Sequence, residues 1–183
     1  MHVFLDFEAS SLAKNSYPIE IAWVFEAGAT ETHLIKPAPD WQDWDETAEA
    51  IHGIPRAQLE SDGENHAIVA QRVLEVLSGH RVFASSPSWD GKWLSILLRA
   101  GGLPRHALRL EDTDLAQNEI IDHVLASLNP TALATARQSI IAEAQRRAQT
   151  LPVEHRALAD AERERQIWLT IRQLAKAYAE NPA

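Results

Sequence analysis

Asp6 and Glu8 stand two residues apart at the end of an apolar run, His2 to Phe7, that is rich in strand-forming residues. In a strand, alternate side chains leave the same face, so the two carboxylates would project together from Cα atoms about 6–7 Å apart. Two acids on a central strand repel each other and are costly to desolvate unless cations neutralise them. Such a pair is suited to holding a divalent metal ion; the plain alternative is a strand end frayed into solvent. Asp90 lies just before a helical stripe formed by Trp93, Leu94, Leu97 and Leu98, where a carboxylate commonly caps exposed backbone N–H groups. Lys92 reads as a solvated surface cation that could meet a phosphate. His155 and Asp160 stand five residues apart where the chain enters its last helix, and on their own they read as an exposed histidine and a first-turn acid favoured by the helix dipole.

The elements that must position these groups follow from periodicity. Ile19 to Phe25 and Thr32 to Lys36 read as two further strands, so a meander opens the fold. Pro37 to Asp45 reads as a structured loop and Ile51 to Pro55 as a turn. A helix is expected over Glu64 to Leu77, a strand over Arg81 to Ser85, a helix ending at Gly101-Gly102, and a short strand over Leu108 to Leu110. Asp114 to Leu128 and Thr131 to Thr150 read as helices separated by Asn129-Pro130. Leu158, Ala161, Trp168, Ile171, Leu174 and Tyr178 form the stripe of a last helix. The expected fold class is α/β, with a central mixed sheet flanked by helices and the acids gathered at strand and helix ends.

Composition narrows the chemistry. The 183 residues fit one domain. There is no cysteine, so a metal must sit on oxygen or imidazole. A net charge of −9 argues against a protein that coats long nucleic acid through a broad basic surface, and leaves room for an enzyme that grips a strand end. No secretory signal or membrane span is readable, so no membrane partner and a cytoplasmic location are expected.

FLDFEASSL, IHGI and HRALADA, in that order and at domain-length spacing, resemble the DEDDh exonucleases, relatives of ribonuclease T, oligoribonuclease and polymerase proofreading subunits. The resemblance runs from Phe4 to Ala161. It implies a ribonuclease H-like, five-stranded mixed sheet with antiparallel first strands, in one exonuclease domain over 1–183 with a helical insertion near 130–150. The implied reaction is metal-dependent 3′-to-5′ exonucleolytic hydrolysis at the 3′ end of single-stranded or short DNA or RNA, releasing nucleoside 5′-monophosphates. The implied cofactor is a pair of Mg²⁺ or Mn²⁺ ions. By the same resemblance Asp6, Glu8, Asp90 and Asp160 are the metal ligands and His155 is the general base. Phe7, Ser10, Leu12 and His52 would contact substrate, Leu12 wedging against the terminal base unless it is a plain core leucine. A homodimer fits relatives that act on RNA, and the segment from 129 to 153 would serve packing or a subunit contact. The chain departs from the family's threonine-rich pattern at Ala9-Ser10-Ser11, and has Ser86 then Pro87 where an asparagine is usual four before the third acid. Two other readings remain at this level: a catalytically silent nucleic-acid- or protein-binding module of the same fold, and a related endonuclease that cuts internally.

Overall fold

A computed structural model describes residues 1–150 and 154–180. The opening meander forms as β1 (His2–Ala9), β2 (Pro18–Phe25) and β3 (Thr30–Lys36), each antiparallel to the one before it. Two later strands extend the other side in parallel: β5 (Arg81–Ala84) pairs with β1, and β6 (Leu110–Asp112) pairs with β5. The sheet is therefore mixed, as expected, but among the described residues it holds six strands rather than five. The additional strand, β4 (Glu64–Asn65), is only two residues long and pairs parallel with β3 to give the order β4-β3-β2-β1-β5-β6. Gly63 makes that edge contact sterically feasible, since a Cβ there would lie 2.3 Å from the Leu59 carbonyl oxygen and 2.7 Å from the Lys36 nitrogen. So short a strand has no period to betray it.

Among the described residues seven helices accompany the strands: α1 (Glu46–His52), α2 (Arg56–Asp62), α3 (His66–Leu77), α4 (Pro87–Ala100), α5 (Thr113–Val124), α6 (Pro130–Ala148) and α7 (Ala157–Glu180). The stretch from Pro37 to Asp45 is a loop, as expected, but Ile51 to Pro55 is more than a turn: it joins two short helices. Asp45 caps α1 by accepting from the Thr47 N–H, and Gly53, at φ +68°, ends it in the left-handed conformation open to glycine. Pro55 then leads directly into α2.

The sheet is packed on both faces, which explains why β2 is apolar nearly throughout. Val3, Leu5, Phe7, Ile19, Ile21 and Trp23 join Val69, Val73 and Leu77 of α3 and Leu94, Leu97 and Leu98 of α4 in one core. Phe4, Val24 and Phe83 meet Ala116 of α5 and Ala161 and Trp168 of α7 in another. Trp168 is 1% exposed and donates its indole N–H to the Ala116 carbonyl at 3.2 Å. The helical segment near 130–150 is α6, and Ala136, Ile140 and Ala144 bury against Ile121 of α5, Leu125 just past its end, and Ile171 and Ala175 of α7. Its apolar stripe thus has a partner within its own chain. Among the described residues no helix is long and apolar enough to cross a membrane.

Candidate active site

β1 carries alternating side chains, so Val3, Leu5 and Phe7 enter one core while Phe4, Asp6 and Glu8 share the face toward α7. The pairing of β1 with β2 slips between Glu8 and Ala9, a break in register of the kind that re-aims side chains at a strand end. Helix α7 crosses this face, and its first turn brings Asp160 to the two strand acids. One carboxylate oxygen from each of Asp6, Glu8 and Asp160 lies within 4.8 Å of the others. Residues separated by most of the chain thus meet because Trp168 and Ala161 seat α7 on Phe4.

Asp90, on α4, lies within electrostatic reach of Asp6 and Glu8. It does not precede its helix, as its position before the apolar stripe implied; α4 begins three residues earlier, with Pro87 in the first turn and Ser86 at the cap position. Proline is compatible with a first helical turn, whose N–H groups have no partner within the helix, so the Pro87 departure is what starts the helix. Asp90 is 2% exposed, and its Oδ2 has no hydrogen-bond partner among the described residues.

These acids share an electrostatic cost. Asp6 is held well above the usual carboxylate range, first by burial and then by the charges of Asp90, Glu8 and Asp160. Glu8 is raised to about 7 by burial, with Asp160 and Glu20 adding to it and Arg156 opposing. Asp90 is likewise raised to about 7 by burial, partly offset by backbone groups of Ser86, Asp90 itself and Phe7. Burial also raises Asp160, against which the nearby His155 favours the charged form. Glu164, one turn further along α7, is raised by burial too, with a hydrogen bond involving Thr113 opposing. Three carboxylate oxygens within one ion's reach, a fourth buried acid with an unpaired oxygen and mutual repulsion throughout make a donor set that fits hard divalent cations.

His155 is exposed and lies just upstream of α7. Among the described residues it is the one non-glycine position with positive φ, at +48°, a backbone conformation kept only where surroundings over-determine it.

The substrate-contact candidates divide. Leu12 is 70% exposed, which excludes its reading as a core leucine and leaves an apolar side chain in solvent beyond the acids. Phe7 is buried in the core on the face opposite Asp6. Ser10 is fully buried and its hydroxyl is used internally: it donates to Asp43 at 2.8 Å and accepts from the Tyr17 N–H at 3.1 Å. Ser11 donates to the same Asp43 oxygen at 2.6 Å. The serine-rich departure therefore ties the loop after β1 to the loop before α1. His52 is buried, with Nδ1 accepting from the Ile54 N–H at 3.0 Å and Nε2 unpartnered among the described residues. Lys92 is not a free surface cation: Nζ donates to the Ala13 carbonyl at 2.7 Å and to Ser16 Oγ at 2.9 Å, bracing the β1–β2 loop against α4.

Sequence reasoning alone missed Glu20. It is the one charged residue of IEIAWVF, is 2% exposed and lies directly across from Glu8 in the β1–β2 pairing. A lone acid in an apolar strand is a signal, because a buried charge needs a partner; that partner, Arg156, sits in the motif beside His155.

No protein-family model matches the sequence, and no curated protein matches it. Solved structures do match the fold. A structure of exonuclease I in its apo form superposes with a TM-score of 0.66 at 16% identity, covering 96% of this chain and 43% of that one. Escherichia coli exonuclease I in complex with a dA16 oligonucleotide gives 0.64 at 17% identity, over 97% and 42% of the two chains. The zinc-ion-bound form of an E. coli exonuclease I complex with single-stranded DNA gives 0.63 at 17% identity, over 99% and 41%. At these identities the likeness is one of fold, an α/β architecture compatible with the ribonuclease H-like class. The chain spans less than half the length of these neighbours.

Proposed function

We propose that this chain, with a fold shared with exonuclease I, is a metal-dependent 3′-to-5′ exonuclease acting on single-stranded or short nucleic acid and releasing nucleoside 5′-monophosphates. The observation that carries the reading is the meeting of Asp6, Glu8 and Asp160 oxygens within 4.8 Å, beside buried Asp90 and within electrostatic reach of His155. The single-stranded DNA bound by the E. coli neighbours supports the substrate class.

Asp6, Glu8 and Asp160 would hold one Mg²⁺ or Mn²⁺ ion, and Asp6 with Asp90 a second. Bound divalent ions supply positive charge that polarises an attacking water and stabilises the leaving oxygen. The chain's own residues do the rest. A ring nitrogen of His155 takes a proton as the water oxygen forms its bond to phosphorus. The bond from phosphorus to the 3′-oxygen of the preceding nucleotide breaks, its electron pair stays on that oxygen, which takes up a proton from solvent, and the shortened strand again ends in a 3′-hydroxyl. Leu12, exposed past the end of β1, offers an apolar contact to the terminal base.

The test is an end-labelled single strand incubated with Mn²⁺. Stepwise shortening from the 3′ end by the wild type, abolished in Asp6→Ala, is the expected result. No shortening of either DNA or RNA would replace this reading with a silent binding module, and digestion of a circular single strand would replace it with an endonuclease.

A further inference from the structure

Glu20 presents a buried carboxylate that three donors of one short segment meet. Arg156 Nε donates to Glu20 Oε2 at 3.0 Å, Arg156 Nη2 donates to Oε1, and the backbone N–H of Ala157 donates to Oε2 at 3.0 Å. Ala157 is the first residue of α7. The Glu20 carboxylate therefore places negative charge at the positive end of a 24-residue helix and satisfies one of its unpaired N–H groups. A two-pronged guanidinium–carboxylate pair fixes orientation as well as distance. Orientation matters here because residue 155, one step upstream, is held at φ +48°. The cross-strand partner of Glu20 is Glu8, and the guanidinium bound to Glu20 also acts electrostatically on Glu8, a carboxylate of the acid cluster.

We propose that Glu20 is a positioning residue: its carboxylate fixes Arg156 and the first turn of α7, which sets His155 against the acid cluster and keeps the Arg156 guanidinium from pairing with Glu8. The inference rests on the hydrolytic metal-site reading given above. Its chemistry is specific. In Glu20→Gln the amide oxygen still accepts from the Ala157 N–H, so the helix cap survives, while Arg156 loses its charged, two-point partner. Glu8 is then the cluster carboxylate nearest in register, and a guanidinium paired with it competes with a divalent cation for the same oxygens.

The experiment measures Mn²⁺ binding by calorimetry and turnover on a single-stranded oligonucleotide for the wild type, Glu20→Gln, Arg156→Lys and the double variant Glu20→Gln/Arg156→Gln, with thermal melts confirming each fold. Loss of a group that orients metal ligands typically costs about 10–100-fold in metal affinity or activity. Glu20→Gln is expected to lose that much in both Mn²⁺ affinity and kcat, with KM within about twofold of wild type. The double variant is expected to recover Mn²⁺ affinity, because the competing cation is gone, but not kcat, because His155 is still released. Arg156→Lys keeps the neutralising charge without the fork, and is expected to lose kcat while retaining Mn²⁺ affinity. A merely structural role predicts the opposite order, the double variant binding no better than Glu20→Gln. That order, or a Glu20→Gln protein that binds and turns over as wild type does, would overturn the proposal alone. A wild type that binds no Mn²⁺ would overturn the metal-site reading and this inference together.

Discussion

Raising the pH should destabilise the metal-free protein, opposite to the usual behaviour of carboxylates in folded chains. Glu8 ordinarily ionises at 4.5 and here at about 7, chiefly because it is buried, with Asp160 and Glu20 adding to the effect. For a group whose folded-state value is raised, the stability is fully present below the ordinary value and is lost as pH rises through the folded one. At about 1.4 kcal/mol per pH unit, the rise from 4.5 to about 7 removes about 3 kcal/mol. In a chain of this length that corresponds to about 6–12 °C in Tm. Asp90, moved by burial from 3.8 to about 7, adds a loss of similar size over the same window. The clean measurement is a difference. Thermal melts by circular dichroism, in chelator from pH 4.5 to 8, are recorded for the wild type and Glu8→Gln. The variant should melt within about 2 °C of wild type at pH 4.5 and about 6–12 °C above it at pH 8. His52, whose burial lowers its value and favours stability as pH rises, is common to both proteins and cancels. Saturating Mn²⁺ at pH 8 should raise the Tm of the wild type more than that of Glu8→Gln. A difference that stays flat with pH, or that grows toward acid, would refute the placement of Glu8 in a buried, mutually repelling cluster.

The same geometry sets two further outcomes. His155→Ala should lose about 10²–10⁴-fold in kcat while calorimetry shows Mn²⁺ binding retained, as removal of a general base requires; unchanged turnover would remove His155 from the mechanism. Trp168→Ala should cost about 3–5 kcal/mol in urea unfolding, since a fully buried indole and its hydrogen bond are both lost; a cost under about 1 kcal/mol would show that this indole does not seat α7 on the sheet.

The elements that carry long periodic patterns are legible in the sequence, and those that depend on distant partners are not. The three strands of the meander follow from short runs of strand-forming residues, and α3 and α7 from a helical stripe. α1 and α2 are seven residues each and flank Gly53-Ile54-Pro55, so their length gives a period little room to show. The start of α4 is hidden because its first turn, Pro87 to Asp90, lies ahead of the apolar stripe, which begins only at Trp93. In the candidate site, Asp6, Glu8, Asp160 and His155 are readable through the spacing of their motifs. Glu20 and Arg156 are not, because they are 136 residues apart and each looks ordinary without the other. Ser10 stands out for its place in a motif, and what the motif does not carry is Asp43, the acid that takes its hydroxyl.

The arrangement of α7 across β1 explains how a fold tolerates so many like charges at one point. On the shared face of β1 the side chains run Phe4, Asp6, Glu8, and along α7 toward its start they run Trp168, Ala161, Asp160. The two gradients are aligned, so apolar contact lies at one end of the crossing and carboxylate contact at the other. Burying an indole removes about 150–250 Å² from water, worth about 4–6 kcal/mol at about 25 cal/mol per Å². That is comparable to the ionisation of Glu8 or of Asp90 in its buried place, at about 3–4 kcal/mol each, and Asp6 and Asp160 are raised as well. Above neutral pH the packing around Trp168 therefore works against the mutual repulsion of the carboxylates gathered at the start of α7. On the metal-site reading proposed above, a cation that neutralises the cluster relieves that repulsion, so metal binding and the docking of α7 are expected to strengthen each other.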